Sequence, residues 1–172
     1  MSFENQLKSI DIKKLPMSNG MTLEQNLYLE AQKLKDCIQN RLNIYLKSNP
    51  PRMYKRTGGL QNSLTVDDIL NIRIVGTSIE IDLFFNSDAY HTSGDGITTP
   101  QGENWQGNGE VVNTAYLLNY GYAVKKDVWF KNYENFGFRK GGYFVEEGID
   151  DFNATNTLGI NITKKFNGET IY

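Results

Sequence analysis

A long run of apolar residues at helical spacing dominates the N-terminal third of the chain. They recur in steps of three and four: Leu23, Leu27, Ala31, Leu34, Ile38, Leu42 and Tyr45. This is the spacing of one face of an α-helix. Thr22 and Gln25 are placed as in an N-terminal capping box, and Pro50-Pro51 ends the pattern because proline donates no backbone hydrogen bond. The sequence therefore predicts an amphipathic helix over residues 22–47 that covers a sheet.

An alternation of apolar and polar residues predicts a β-hairpin over residues 70–83. A two-residue turn at Gly76-Thr77 gives a register in which apolar side chains and charges both match: Leu70 with Leu83, Ile72 with Ile81, Ile74 with Ile79, and Arg73 with Glu80. Such cross-strand matching fixes register, and glycine at the first turn position favours a type II′ turn. We expect one face of the hairpin to pack on the long helix.

Shorter patterns predict the remaining elements. Residues 1–21 form an arm, interrupted at Pro16 and Asn19-Gly20, that docks on its own domain or on a neighbouring subunit. Between helix and hairpin, Thr57 is a candidate cap, and Leu60 and Leu64 are expected to point inward.

Similar local patterns predict the elements of the C-terminal part. The predicted elements follow in order: a helix over 114–120 capped by Asn113 and closed by a left-handed Gly121, a strand over 128–130, a turn over 137–142, a helix over 143–153 with Phe144, Ile149 and Phe152 inward, a strand over 158–162, and a loose tail over 167–172. We find no internal repeat. The predicted fold is a single α+β domain over residues 1–172, with the long N-terminal helix packed on an antiparallel β-sheet and one or two short helices.

The charge and the apolar content of the chain argue against some classes of protein. The 172 residues carry a net charge of −2, so the chain is not built to bind nucleic acid over its whole surface. The charge is uneven, at +5 over residues 1–60 and −7 over 61–172; the basic part either meets an acidic partner or, as we favour, is a set of solvated lysines. No apolar run reaches the roughly 18 residues of a membrane span, and the N-terminus has no secretory signal pattern.

A single cysteine also limits the chemistry. Cys37 cannot form an internal disulfide or a thiolate metal cluster. It lies beside the apolar stripe of the long helix, so we expect a small, partly buried side chain rather than a reactive thiol. An intracellular assembly site fits this cysteine usage best.

Residues 86–109 form a long glycine-rich segment with two functional readings. The only histidine, His91, lies near Asp88, Asp95 and Glu103, which would be the residues of a small metal-dependent hydrolase. The chain has no second histidine and no recognised zinc spacing, so a solvated loop is favoured over a metal site. A loop of this length is typically functional or mobile.

A second alternative is a binding module. The aromatic residues Tyr90, Trp105, Tyr122 and Tyr133 are candidates for stacking on a sugar or a base. Salt-sensitive binding to DNA, or binding to a glycan, would favour this class.

Three segments resemble a known family. The first is Tyr54-x-Arg56-Thr57-Gly58-x-Leu60-x-x-Ser63 after a long helix. The second is a short apolar helix ending at Tyr120-Gly121, and the third is the start of a helix at Tyr143-Phe144-Val145. Together they resemble the tailed-phage head–tail joining and tail-completion proteins, the small structural proteins of the phage neck.

The resemblance implies a structural protein rather than an enzyme, without catalytic, metal-binding or cofactor-binding residues. It implies a ring, commonly a hexamer, at the neck or the top of the tail of the virion, assembled in the host cytoplasm. The expected partners are other copies of the chain and neighbouring connector, adaptor or tail-tube proteins, with no membrane. DNA would pass through the channel without sequence-specific binding, and the acidic residues 61–172 would face it so that DNA slides without sticking.

Overall fold

The longest element is helix α1, Leu23–Ser48. The computed structural model describes residues 11–49, 58–92, 111–123, 138–166 and 169–170. Within them, the other α-helices are α2 (Gly59–Asn62), α3 (Thr114–Tyr120) and α4 (Phe144–Asn153). The strands in these ranges form five antiparallel pairs: β1 (Leu64–Val66) with β4 (Leu83–Phe85), β2 (Arg73–Val75) with β3 (Ser78–Glu80), β5 (Tyr90–Thr92) with β6 (Val111–Asn113), β7 (Gly121–Ala123) with β8 (Phe138–Lys140), and β9 (Lys165–Phe166) with β10 (Glu169–Thr170).

Helix α1 begins at the predicted capping box. The Thr22 hydroxyl accepts a hydrogen bond from the Gln25 backbone, and the Gln25 side chain accepts one from the Thr22 backbone at 2.9 Å. Two amide donors that a helix start leaves unpaired are thereby satisfied. The helix ends at Ser48, just before Pro50. The predicted helix is confirmed at both ends.

The core lies between α1, α4 and strand β1. Leu34, Ile38 and Leu42 of α1 are buried against Phe144 and Phe152 of α4. Helix α1 also packs on β1, so the predicted α+β class, a long helix on antiparallel strands with short helices, is confirmed. The strands are paired in twos within the described residues rather than joined in one sheet.

Residues 64–85, which we call the ribbon, correct half of the predicted hairpin register. Ile74 pairs with Ile79 and Arg73 with Glu80, as predicted. Leu83 pairs with Val66 rather than with Leu70, and β2 is exposed along its length instead of packing one face on α1.

The reason for the shift is local turn chemistry. The Asp68 carboxylate accepts a hydrogen bond from the Leu70 backbone at 2.8 Å and starts a 3₁₀ turn, Ile69–Asn71. Six residues therefore separate β1 from β2, whereas only two separate β3 from β4. Aspartate favours such turns because its side chain bonds to the backbone two residues on. The excess residues form an excursion that exposes Leu70.

The hairpin turn has the predicted geometry. Gly76 has a φ of +60°, whereas Thr77 does not, because Tyr143 is the only non-glycine residue with positive φ in the described part of the chain. A type II′ turn needs positive φ at its first central residue alone, so the backbone at Gly76-Thr77 agrees with the predicted type II′ turn.

The approach to the ribbon is partly as predicted. Leu60 and Leu64 are buried, but α2 is capped by Gly58, with a φ of +86° and no side-chain bond. Thr57 lies outside the described residues. The described part of the arm, residues 11–21, docks on its own chain, where the Lys13 ammonium donates to the Ile72 carbonyl at 3.3 Å.

The C-terminal predictions have mixed outcomes. Asn113 caps α3 through the Tyr116 backbone. Gly121 has positive φ, but its ψ of 169° places it in an extended conformation that starts β7 rather than in the left-handed helical region. The predicted turn over 137–142 is wrong in its first part, because Phe138–Lys140 forms β8. Close packing of Gly141 on the end of α3 leads this segment into the ladder with β7.

The last segment differs more. Helix α4 is confirmed, with Phe144 and Phe152 buried and Ile149 packed on the core. The predicted strand over 158–162 is wrong, because Gly159 has a φ of +64° that interrupts an extended backbone. The loose tail after Asn167-Gly168 is also corrected, since Glu169–Thr170 pairs with Lys165–Phe166. The strand predicted over 128–130 lies outside the described residues.

Candidate interaction surfaces

The ribbon exposes large apolar side chains on a paired β scaffold. The exposed fractions are 84% for Leu70, 46% for Ile74 and 47% for Val75. Phe84, near the base of the ribbon, is also exposed. Single exposed apolar residues are ordinary, but several on one short element are typical of an interaction site.

Ion pairs hold the ribbon together on its outer side. The Arg73 guanidinium binds Asp82 with both oxygens, at 2.7 and 2.9 Å, and approaches Glu80 at 3.4 Å. The hydrogen bonds to Asp82 raise the pKa of Arg73 above its ordinary value. These groups are about half exposed, so their main effect is to fix the shape of the ribbon rather than to add much stability. With Asp67 and Asp68, the ribbon has four acidic residues and one basic residue.

The strands of the ribbon also present backbone edges. Within the described residues, β2 pairs only with β3 and β1 only with β4. Each strand therefore has one edge without a neighbouring strand there, and such an edge is a template for pairing with another chain.

A polar groove, which we call the amide groove, lies beside the base of the ribbon. It is lined by residues of α1, α2 and β1: Lys35, Gln39, Asn43, Gln61, Asn62 and Leu64. Its volume is about 480 Å³. The Gln61 amide donates to the Asn43 oxygen at 3.0 Å, which ties α2 to α1 across the groove. Among the lining residues that the structure describes, Lys35 alone is charged.

No pattern in the sequence analysis predicted this groove. The available signal was the spacing of four residues between Lys35 and Gln39, continued at Asn43, which places three hydrogen-bonding side chains in a row on one helix face. Gln61 and Asn62 follow much later in the chain, so only the fold brings them opposite that row.

A second polar cluster joins α3 to α4. Glu146 accepts hydrogen bonds from Asn119 at 2.7 Å, from Tyr120 at 2.7 Å and from Lys164 at 3.0 Å. Asn119 is only 1% exposed, and its oxygen accepts from the Val145 backbone at 2.9 Å. We call these four side chains, Asn119, Tyr120, Glu146 and Lys164, the polar junction.

The electrostatics of the polar junction favour a structural role. Burial alone would raise the pKa of Glu146, but the three donors outweigh it and hold the pKa of that carboxyl below its ordinary value. Burial and the hydrogen bond to Glu146 raise the pKa of Tyr120 to about 12. An ionised carboxylate and a neutral phenol at neutral pH satisfy one another. The polar junction therefore fixes the start of α4 against the end of α3.

The candidate hydrolase residues are only partly within the described chain. His91 lies in β5 opposite Val112, and Asp88 lies in a 3₁₀ turn, Ser87–Ala89. Asp95 and Glu103 lie outside the described residues, as do residues 93–109 of the glycine-rich segment. Residues 90–92 of the same segment were predicted as loop but form β5. Among the residues that the structure describes, no group of three histidine, cysteine or acidic side chains could hold a metal ion.

The candidate stacking aromatics are likewise divided. Tyr90 lies in β5 and Tyr122 in β7, whereas Trp105 and Tyr133 lie outside the described residues. Cys37 is half-buried and packs on the core, and burial raises the pKa of its thiol. This placement agrees with the expected small, partly buried helix residue.

Comparisons with known proteins identify no relative. No protein-family model, no curated protein and no solved structure matches the chain. No helix in the described ranges is long and apolar enough to cross a membrane.

Proposed function

We propose that the chain is a structural subunit of a phage head–tail connector or tail-completion ring, which couples the tail to the connector and leaves a channel for DNA. The observation that carries this proposal is the ribbon. Leu70, Ile74 and Val75 stand on a shape-fixed scaffold and are at least 46% exposed. Surfaces of this kind are normally covered by a partner, and assembly is the function that covers them.

The residues of the family resemblance support the proposal through their structural roles. Gly58 has the left-handed φ that starts α2, Leu60 is buried, and the fully buried Ser63 donates to the Leu60 carbonyl at 2.7 Å. They form the joint between α1 and the ribbon. Tyr54, Arg56 and Thr57 lie outside the described residues.

Ring assembly gives this surface a physical role. A head-to-tail contact between identical subunits leaves no free interface once the ring closes. DNA would pass through the centre without being bound, because the acidic residues 61–172 repel its phosphates if they face the channel. Neighbouring connector, adaptor or tail-tube proteins would cover the two faces of the ring.

Native mass spectrometry of the purified chain tests the proposal. We expect a discrete multiple of the 19.6 kDa subunit, and we expect the chain in purified virions of the phage that encodes it. Val75→Glu should abolish the ring, whereas Leu158→Glu should not, because both residues are exposed to a similar degree but only Val75 lies on the ribbon. A chain that stays monomeric at every concentration and is absent from virions would refute the proposal.

A further inference from the structure

We propose that the ribbon of one copy docks into the amide groove of the next copy, so that these two surfaces form the repeating contact of the assembly. This inference rests on the proposed function and names the two faces of its subunit interface. Its occupant is a second copy of this chain, because the strand edges and the acidic charge of the ribbon complement the side-chain amides and the lysine of the groove.

The chemistry of the groove suits a strand edge. Gln39, Asn43 and Gln61 carry side-chain amides, which have the same donor and acceptor as a peptide group. The free edge of a ribbon strand presents backbone N–H and C=O groups that need such partners when water is excluded. Within the groove, the Gln61 amide nitrogen donates to the Asn43 oxygen at 3.0 Å, and the carbonyl oxygen of the same Gln61 amide is an acceptor.

Charge favours the contact between ribbon and groove over a contact between two ribbons. The ribbon has a net charge of −3, from Asp67, Asp68, Glu80 and Asp82 against Arg73. Within the described residues, the only charge in the groove lining is the ammonium of Lys35. Ribbon against ribbon would bring together two surfaces of the same sign, which disfavours a two-fold contact. Ribbon against groove brings together opposite signs.

The geometry of the chain makes the contact head-to-tail. The groove is lined by α1, α2 and the first residue of β1, whereas the acidic and exposed apolar side chains lie farther along the ribbon. Two different patches in contact generate a closed ring or an open filament rather than a dimer. Leu64 is both the first residue of the ribbon and part of the groove lining, so strand β1 connects the amide groove directly to the ribbon.

Disulfide trapping tests the contact with full-length protein. We would prepare Gln39→Cys in the groove and Thr77→Cys at the ribbon turn, each in a Cys37→Ser background. On mild oxidation, we expect a mixture of the two single variants to give a disulfide-linked heterodimer. Its yield should be at least tenfold higher than the yield of disulfide-linked homodimer from either variant alone. A chain with both substitutions should give a ladder of covalent oligomers. Circular dichroism and thermal unfolding confirm that each variant is folded.

Three results would overturn the inference. Cross-linking of Thr77→Cys to itself would indicate a ribbon–ribbon contact, and cross-linking only to another virion protein would indicate a different occupant. Rings by native mass spectrometry without heterodimer trapping would refute this contact while leaving the proposed function intact. Failure of the proposed function is separate, because it would appear as a wild-type chain that forms no ring and is absent from virions.

A charge reversal provides an independent readout. Lys35→Glu should weaken subunit association by at least tenfold, measured by the concentration dependence of the oligomer. Lys47→Glu is the matched control, because Lys47 lies on the same helix outside the groove and is exposed. Equal weakening by both variants would mean that net charge, and not the groove, governs association.

Discussion

Gly148 of α4 lies against the backbone of Ile38 in α1, with no room for a side chain between them. A Cβ built on Gly148 would stand 2.6 Å from the Ile38 Cα. This close approach brings the two helices together and buries Phe144 and Phe152 on the α1 face. The core of the protein therefore depends on a glycine in the middle of a helix, where glycine is otherwise unfavourable.

Gly148→Ala should destabilise the fold, although alanine is the better helix former. Overpacking a close contact costs about 1–3 kcal/mol, which exceeds the propensity gain of about 1 kcal/mol. The measurement is urea unfolding followed by circular dichroism. Asp150→Ala, at an exposed position of the same helix, is the control and should change stability little. A Gly148→Ala variant as stable as wild type would show that α1 and α4 can move apart without loss.

Asn119 is the buried residue on which the polar junction depends. Asn119→Ala removes the acceptor of the Val145 backbone and one donor to Glu146. A buried hydrogen-bonding group left without its partner costs about 1–3 kcal/mol, so the midpoint of urea unfolding should fall. Asn153→Ala, an exposed site, is the control. Equal stability of the two variants would contradict the assigned role of the junction.

The contacts of Gly148 and Asn119 could not be predicted from the sequence alone. Helix α1 and its capping box were predictable because every interaction that defines them is local. The Asn119–Glu146 bond joins residues 27 positions apart, and no periodicity marks either partner. The same holds for the amide groove, where Gln61 meets Asn43 through the tertiary fold alone.

The ribbon shows how a correct local signal can be overridden by another. Alternation predicted the pairing at its tip, where Ile74 faces Ile79. The same alternation continued through Leu70, but the Asp67-Asp68 turn took precedence there and shifted the register below it. Aspartate pairs before an alternating run therefore indicate an excursion as well as a strand start.

The pair between Arg41 and Asp151 should make the α1–α4 contact sensitive to acid. Arg41 binds both Asp151 oxygens at 2.6 Å, which lowers the pKa of Asp151. A carboxyl whose folded pKa lies below its unfolded value stabilises the fold above the unfolded pKa and loses that contribution as pH falls through the folded pKa. The difference in Tm between wild type and Arg41→Gln should thus be full above about pH 5 and shrink below about pH 3.9.

Thermal unfolding from pH 7 to pH 2 in low salt measures this difference. Lys33→Gln is the control, because Lys33 pairs with Glu30 inside α1 and does not link the two helices. A gap between wild type and Arg41→Gln that stays constant down to pH 2 would mean that Arg41 acts through packing of its stem and not through Asp151.

Substitutions at Gly58 test the joint between α1 and the ribbon. Its φ of +86° is unfavourable for any residue with a Cβ, although the space around it is open, with the nearest atom 3.8 Å from an added Cβ. Gly58→Ala should therefore cost about 1 kcal/mol through backbone strain alone, and Gly58→Asn should cost less because asparagine tolerates this conformation better. Urea unfolding ranks the three proteins. If strain at Gly58 also turns α2 and displaces Gln61 from the groove, oligomer formation should fall in the same order as stability, with wild type highest and Gly58→Ala lowest. An alanine variant that matches the asparagine variant in both measurements would show that the left-handed turn is not required, and that the joint between α1 and the ribbon is set by Leu60 and Ser63 instead.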